Sequence, residues 1–242
     1  MKNKLSYTIL ILLIVSVQGV TAQGLKDFFA NTDSFLKSTV TNGRVNYAEI
    51  KNNPETLFSL ATAAKDIRVE KADASNYQAF WINTYNILVI KGIVKNYPLK
   101  SPLDVPGFFD KIKHDVGGEH ITLNDIENKL LRANFPQEPR FHFVLVCAGL
   151  GCPPIINSAY VPSSLDAQLE KQTVTALNDN NFIRVINKKK VQVSQIFEWY
   201  TQDFKQNGAS LVDFINTYRT EKIPDGTRVS YYPYDWTLNA VK

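Results

Sequence analysis

Two cysteines, three histidines and no HxH, HExxH or CxxC spacing leave this 242-residue chain without the ligand pattern of a metal centre. No metal and no cofactor is expected. An excess of one charge is missing too. The 27 Lys and Arg face 23 Asp and Glu, and the margin narrows to 25 against 23 once Lys2 and Lys4 are set aside with the segment that carries them. A chain so close to neutral offers no electrostatic footprint for nucleic acid. Internal repeats, low-complexity tracts and linkers are absent, which excludes solenoids and arrays. Beyond the first two dozen residues, no apolar run approaches bilayer-spanning length. What remains is 44% hydrophobic and 12% aromatic, ample to bury a core and too apolar for general disorder.

The first residues are the most readable. Met1 to Leu5 contain two lysines, an apolar run follows from Ile9 to Val15 and continues weakly to Val20, and Val20-Thr21-Ala22 supplies the small residues a signal peptidase reads. This order predicts a signal peptide over 1–22, a single globular domain over 23–242 and an extracytoplasmic location, periplasmic or secreted. The apolar core is too short to stay in a bilayer, so no stable membrane insertion is expected after cleavage.

Helical spacing runs through 25–40 and again near 54–65, with a short extended piece at 45–47. The strongest pattern is 75–96, opened by Ser75 or Asn76 and closed by Tyr97-Pro98, with apolar residues on nearly every side. Residues 98–118 read as a folded loop and 119–122 as a short strand followed by a helix. The apolar run Phe141 to Cys147 has no outward polar face and predicts a central sheet strand. A helix over 163–179, a hairpin turning at 187–190, helices near 195–205 and 209–219, and an aromatic tail at 231–236 complete the chain. Helices outnumber strands, which predicts one α+β domain with helices packed on a small, mostly antiparallel sheet.

Candidate chemistry gathers around 142–154. A buried segment delivers Cys147, Gly149, Gly151 and Cys152 to a loop restrained by Pro153 and Pro154. Such a loop can present a thiolate and converge backbone N–H groups into an oxyanion hole. Two nearby thiols in an oxidising compartment can equally close a structural disulfide, or remain inert. His142 is a candidate base and also an ordinary hydrogen-bonded core histidine. Asn83 and Asn86, three apart on an apolar helix, must find partners, by pinning a neighbouring loop or by orienting a substrate or an imidazole. Glu127 and Asp125 are candidates to orient an imidazole, although acids in a first helical turn also serve the helix dipole alone.

Phe80-Trp81-Ile82-Asn83-Thr84-Tyr85-Asn86, Leu123 to Glu127 with Leu131-Arg132, and His142 to Cys147 with Gly151-Cys152-Pro153 occur in order. Phe197-Glu198-Trp199-Tyr200 with Asp203-Phe204, and Tyr234 to Asn239, complete the series. Over roughly 75–239 this resembles the domain-of-unknown-function 547 family, in its secreted bacterial branch. The resemblance implies an α+β domain and carries the Asn, Glu, His and Cys positions just quoted. Two functional readings follow. One is an exported thiol-dependent hydrolase or transferase, loosely similar to papain-like or transglutaminase-like enzymes. In it Cys152 is the nucleophile, His142 the base, and Glu127 or Asn83 the orienting group, while Asn86, Cys147, Gly149 and Gly151 shape binding. The other is a non-catalytic module for a small-molecule or peptide ligand, braced by a Cys147–Cys152 disulfide.

Overall fold

A single helix organises the chain. In α4 (Ala74–Asn96) the Asp73 carboxylate accepts the Asn76 N–H, and the apolar positions are buried all round. The structure is a computed structural model that describes residues 23–241, without the side chain of Asn207. The segment expected as a signal peptide lies outside the described residues. Before α4 come α1 (23–39), the minimal hairpin β1 (Val40–Thr41) with β2 (Arg44–Val45), α2 (Tyr47–Asn52) and α3 (Glu55–Asp66). Helices α2 and α3 pack on α4 and, with Phe28, Phe35 and Leu36 of α1, close the first hydrophobic core.

After α4, β3 (Lys113–Val116) and β4 (Glu119–Thr122) form a hairpin through Gly117 and Gly118, both at positive φ. The sequence places β3 inside a loop. Its residues Lys113, His114 and Asp115 carry no apolar alternation, and the Gly-Gly turn makes the strand. A Thr122 capping box then opens α5 (Leu123–Asp125), which continues as a π-helical turn over Ile126–Arg132. A 3-10 turn (Pro139–Phe143) and α6 (Leu165–Asn178) follow. The hairpin of β5 (Ile183–Asn187) and β6 (Lys190–Ser194) forms as read from the sequence, and β7 (Arg228–Tyr232) adds in parallel to β6. Between them, α7 (Ile196–Trp199), α8 (Thr201–Phe204) and α9 (Leu211–Tyr218) enclose a second core on Phe143, Phe197, Phe204 and Ile215. The architecture is the α+β class expected, with helices on small, mostly antiparallel sheets. Among the described residues, no helix is long and apolar enough to cross a membrane.

The segment 141–147 is not a sheet strand. It leaves the 3-10 turn as irregular backbone whose nearest sheet-like feature is an isolated bridge between Gly149 and Leu238. Its uninterrupted apolarity arises because it threads between the two cores, and periodicity alone cannot separate that from a buried strand. The two-face alternation a strand would impose on His142 and Cys147 therefore does not apply. Cys152 packs at the margin of both cores, so the thiol loop lies on their seam.

Candidate functional site

The sheet ladder that 144–147 lacks is replaced by one side chain. Asn86 Nδ2 donates to the Val144 carbonyl at 3.0 Å, and the Val146 N–H donates to Asn86 Oδ1 at 2.9 Å. A buried amide thus offers the backbone the donor and acceptor that a neighbouring strand would supply. The chain then turns sharply at Ala148, a buried non-glycine residue at φ +64°. That conformation costs on the order of 1 kcal/mol.

The C-terminal tail laces this loop down. Gly151 N–H donates to the Asp235 carbonyl, Leu150 N–H to the Thr237 carbonyl and Asn239 N–H to the Ala148 carbonyl, each at 2.8 Å. A Cβ on Gly151 would lie 2.9 Å from both Asp235 N and the Tyr234 ring, so only glycine lets the tail approach this closely. Cys152 N–H donates to the Gly149 carbonyl at 3.2 Å. The amides of 150, 151 and 152 are therefore committed to backbone partners. The oxyanion hole expected from this loop is not formed by them, because the tail takes those donors.

The same lacing delivers Tyr234 to the thiols. Both cysteines are free, their sulfurs lie 2.7 Å apart, and the Tyr234 hydroxyl is 2.8 Å from Cys147 Sγ and 2.9 Å from Cys152 Sγ. Cys147 N–H also points at Cys152 Sγ, 3.0 Å away. Burial pushes the Cys147 thiol up. Hydrogen bonds from the Cys152 thiol, the Tyr234 hydroxyl and the Gly149 amide outweigh it and hold Cys147 below the ordinary thiol value. Burial and the adjacent Cys147 both push Cys152 well above that value. The two thiols therefore ionise as a coupled pair, with Cys147 held below and Cys152 above the ordinary thiol value.

A second polar chain reaches the same pocket. His142 Nε2 lies 2.7 Å from Asp203 Oδ2, and Arg132 clasps that carboxylate with Nε at 2.6 Å and Nη2 at 2.9 Å. Burial pushes the Asp203 carboxyl up, but the bonds from His142 and Arg132 outweigh it and keep it well below the usual carboxylate range. The Tyr200 ring lies tilted against His142 with centroids 4.1 Å apart, Arg132 lies 4.6 Å over the same ring, and the charge of nearby Glu127 helps burial raise the Tyr200 hydroxyl. Glu127 and Arg132 both project from the π turn, an element rare in proteins and often found at functional sites. His142, Tyr200 and Glu127, together with Tyr85, Trp199 and Trp236, wall a pocket of about 70 Å³ that also holds Cys147 and Cys152, while Arg132 and Asp203 stand outside it. That is room for the reacting end of a substrate. Trp199 is 48% exposed at its edge.

Of the residues singled out from the sequence, Cys147, Cys152, His142 and Glu127 thus meet in one pocket. Asn83 does not join them. It clamps Tyr160, accepting its N–H at 3.0 Å and donating to its carbonyl at 2.7 Å, and so holds a different loop. Asn86 sits behind the site as a positioning residue, and Gly149 and Gly151 serve the tail contact. Asp203 takes the imidazole-orienting place that the sequence reading gave to Glu127 or Asn83. Asp125 is committed to its capping box and to Lys129 at 2.7 Å. Tyr234 and Asp203 both lie in the motifs that carried the family resemblance. Their surroundings are aromatic, and that reads as core until the partners across the fold are visible. Among the described residues, no group of three or more His, Cys, Asp or Glu side chains is placed to hold a metal ion.

Residues 69–175 match the model of the family described as "Protein of unknown function, DUF547", which supports that family for this chain. No curated protein and no solved structure matches it.

Proposed function

We propose that the protein is an exported, thiol-dependent hydrolase or transferase of the secreted bacterial branch of this family, with Cys147 as its nucleophile. One observation carries the reading. Cys147 Sγ lies 2.7 Å from Cys152 Sγ and 2.8 Å from the Tyr234 hydroxyl in a pocket that His142 also lines, and Asp203 bonds that histidine. The sequence reading gave the attack to Cys152, but the proton that Cys152 retains is what stabilises Cys147. In this mechanism the Cys147 thiolate attacks an acyl carbon, a C–S bond forms and the bond to the leaving group breaks. With Nε2–H donating to Asp203, His142 keeps Nδ1 as its basic nitrogen. It hands the thiol's proton to the leaving group, then takes one from the incoming water or acceptor. The Cys152 thiol and Tyr234 hydroxyl are the donors nearest the reacting sulfur. They replace the loop amides in steadying charge on the acyl oxygen.

The test uses p-nitrophenyl acetate on reduced protein. A stoichiometric burst of p-nitrophenolate with an acetyl group on the Cys147 peptide is expected. Acetylation of Cys152 alone would move the nucleophile, and acetylation of neither sulfur in folded protein would remove the enzyme reading.

The 2.7 Å separation of the sulfurs favours a second reading in which an oxidising compartment closes the bridge. The protein is then a non-catalytic extracytoplasmic module whose bridged loop shapes an aromatic pocket for a small molecule or peptide.

A further inference from the structure

Away from the thiols, α3, α4 and β3 enclose a cavity of about 300 Å³ that the proposed chemistry does not use. Four lysines line it: Lys65 from α3, Lys91 and Lys95 from α4, and Lys113 from β3. The carboxylate in the wall, Asp115, is held by His120 Nδ1 at 2.7 Å and lies 4.0 Å from Lys65. Among the described residues, no carboxylate forms an ion pair with Lys91, Lys95 or Lys113.

Lys91 and Lys95 are four apart on one helix, a like-charge spacing that destabilises an isolated helix by roughly 0.2–0.5 kcal/mol. The carbonyl end of α4 favours Lys95, but it does nothing for the half-buried Lys91 or for the lysines of α3 and β3. Burial, then the charge of Lys95, lowers the Lys91 ammonium from its ordinary value, with Asp115 opposing. His114 shares the wall, and its Nε2 is buried with no partner. Burial, then Lys91 and Lys95, push this imidazole down to about 4, while Asp115 opposes and His120 adds to the repulsion. A concave surface with this unpaired positive charge focuses potential on an anion.

We propose that this cavity binds a phosphate-bearing ligand, with Lys91 and Lys95 as its principal contacts and Lys65 and Lys113 completing the cradle. Phosphate fits because its several oxygens can accept from more than one ammonium group at once, and its charge offsets more than one of them. The ligand is either a free phosphorylated small molecule or the head group of an anionic lipid, and the chemistry of recognition is the same for both.

The experiment titrates the full mature chain with inorganic phosphate by calorimetry and by NMR of His114. A second arm measures sedimentation with phosphatidylglycerol-containing vesicles against pure phosphatidylcholine vesicles. Saturable phosphate binding is expected, with the His114 pKa rising as the anion neutralises its neighbours. The Lys91→Gln/Lys95→Gln double variant should bind at least about tenfold more weakly, about 1.4 kcal/mol. Lys129→Gln, whose lysine pairs with Asp125 elsewhere, should bind as the parent does. Selective sedimentation with phosphatidylglycerol assigns the head group, and phosphate binding without it assigns a free ligand. The proposal is overturned if the parent binds neither probe, or if Lys129→Gln loses as much affinity as the double variant.

Discussion

Cys147→Ser is expected to abolish acyl transfer to the protein, lowering its rate by about a thousandfold or more, as removal of a nucleophile does elsewhere. Cys152→Ser is expected to retain it. The asymmetry follows from which sulfur is donor and which is acceptor. A serine hydroxyl at 147 stays protonated at neutral pH, and the contacts from Cys152 and Tyr234 then stabilise nothing reactive. A hydroxyl at 152 still donates to Cys147 across the 2.7 Å contact, so the nucleophile keeps most of its depressed value. Cys152→Ala removes that donor and should raise the Cys147 thiol. Burst kinetics with p-nitrophenyl acetate on the three variants read this directly. An active Cys147→Ser beside an inactive Cys152→Ser would reverse the assignment.

The largest stability loss is expected from Asn86→Ala. Val144 and Val146 are buried, and the substitution strands the carbonyl of one and the N–H of the other. Each stranded group costs about 1–3 kcal/mol, so a total of about 3 kcal/mol is expected. For a chain of this size that is a melting temperature lower by about 6–12 °C. Asn86→Asp keeps the acceptor for Val146 but loses the donor to Val144, and it should also melt low. Differential scanning calorimetry checks both. If Asn86→Ala melts with the parent, Asn86 is not what holds the thiol segment.

Local pattern was enough where an element satisfies itself. Helix α4, expected over 75–96, runs Ala74–Asn96, because its spacing and Tyr97-Pro98 agree, although Asp73 rather than Ser75 or Asn76 is its cap. The β5–β6 hairpin and its turn were legible for the same reason. The segment 141–147 was not, since its backbone is satisfied by a side chain from a helix 58 to 60 residues away in sequence. The thiols, His142 and Glu127 stood out as reactive residue types in an apolar setting. Asp203 and Tyr234 did not, although one fixes the imidazole and the other reaches both sulfurs. Their significance rests on contacts across 61 and 87 residues, to His142 and Cys147. The glycines were read as converging amides for an oxyanion hole, and they serve a close backbone approach instead. What approaches is the tail backbone, where the sequence reading expected a substrate oxyanion.

Whether Cys147 is the thiolate is decided by one measurement. Reduced protein is alkylated with iodoacetamide across a pH series, with intact mass and peptide mapping assigning the modified sulfur, in the parent and in Tyr234→Phe. Losing a donor to the thiolate disfavours the charged form, so the pH midpoint must move upward in the variant. Cys147 is expected to be modified first, with a midpoint below the ordinary thiol value that rises in Tyr234→Phe. Modification of Cys152 first, or a Cys147 midpoint at the ordinary value and indifferent to Tyr234, would contradict it.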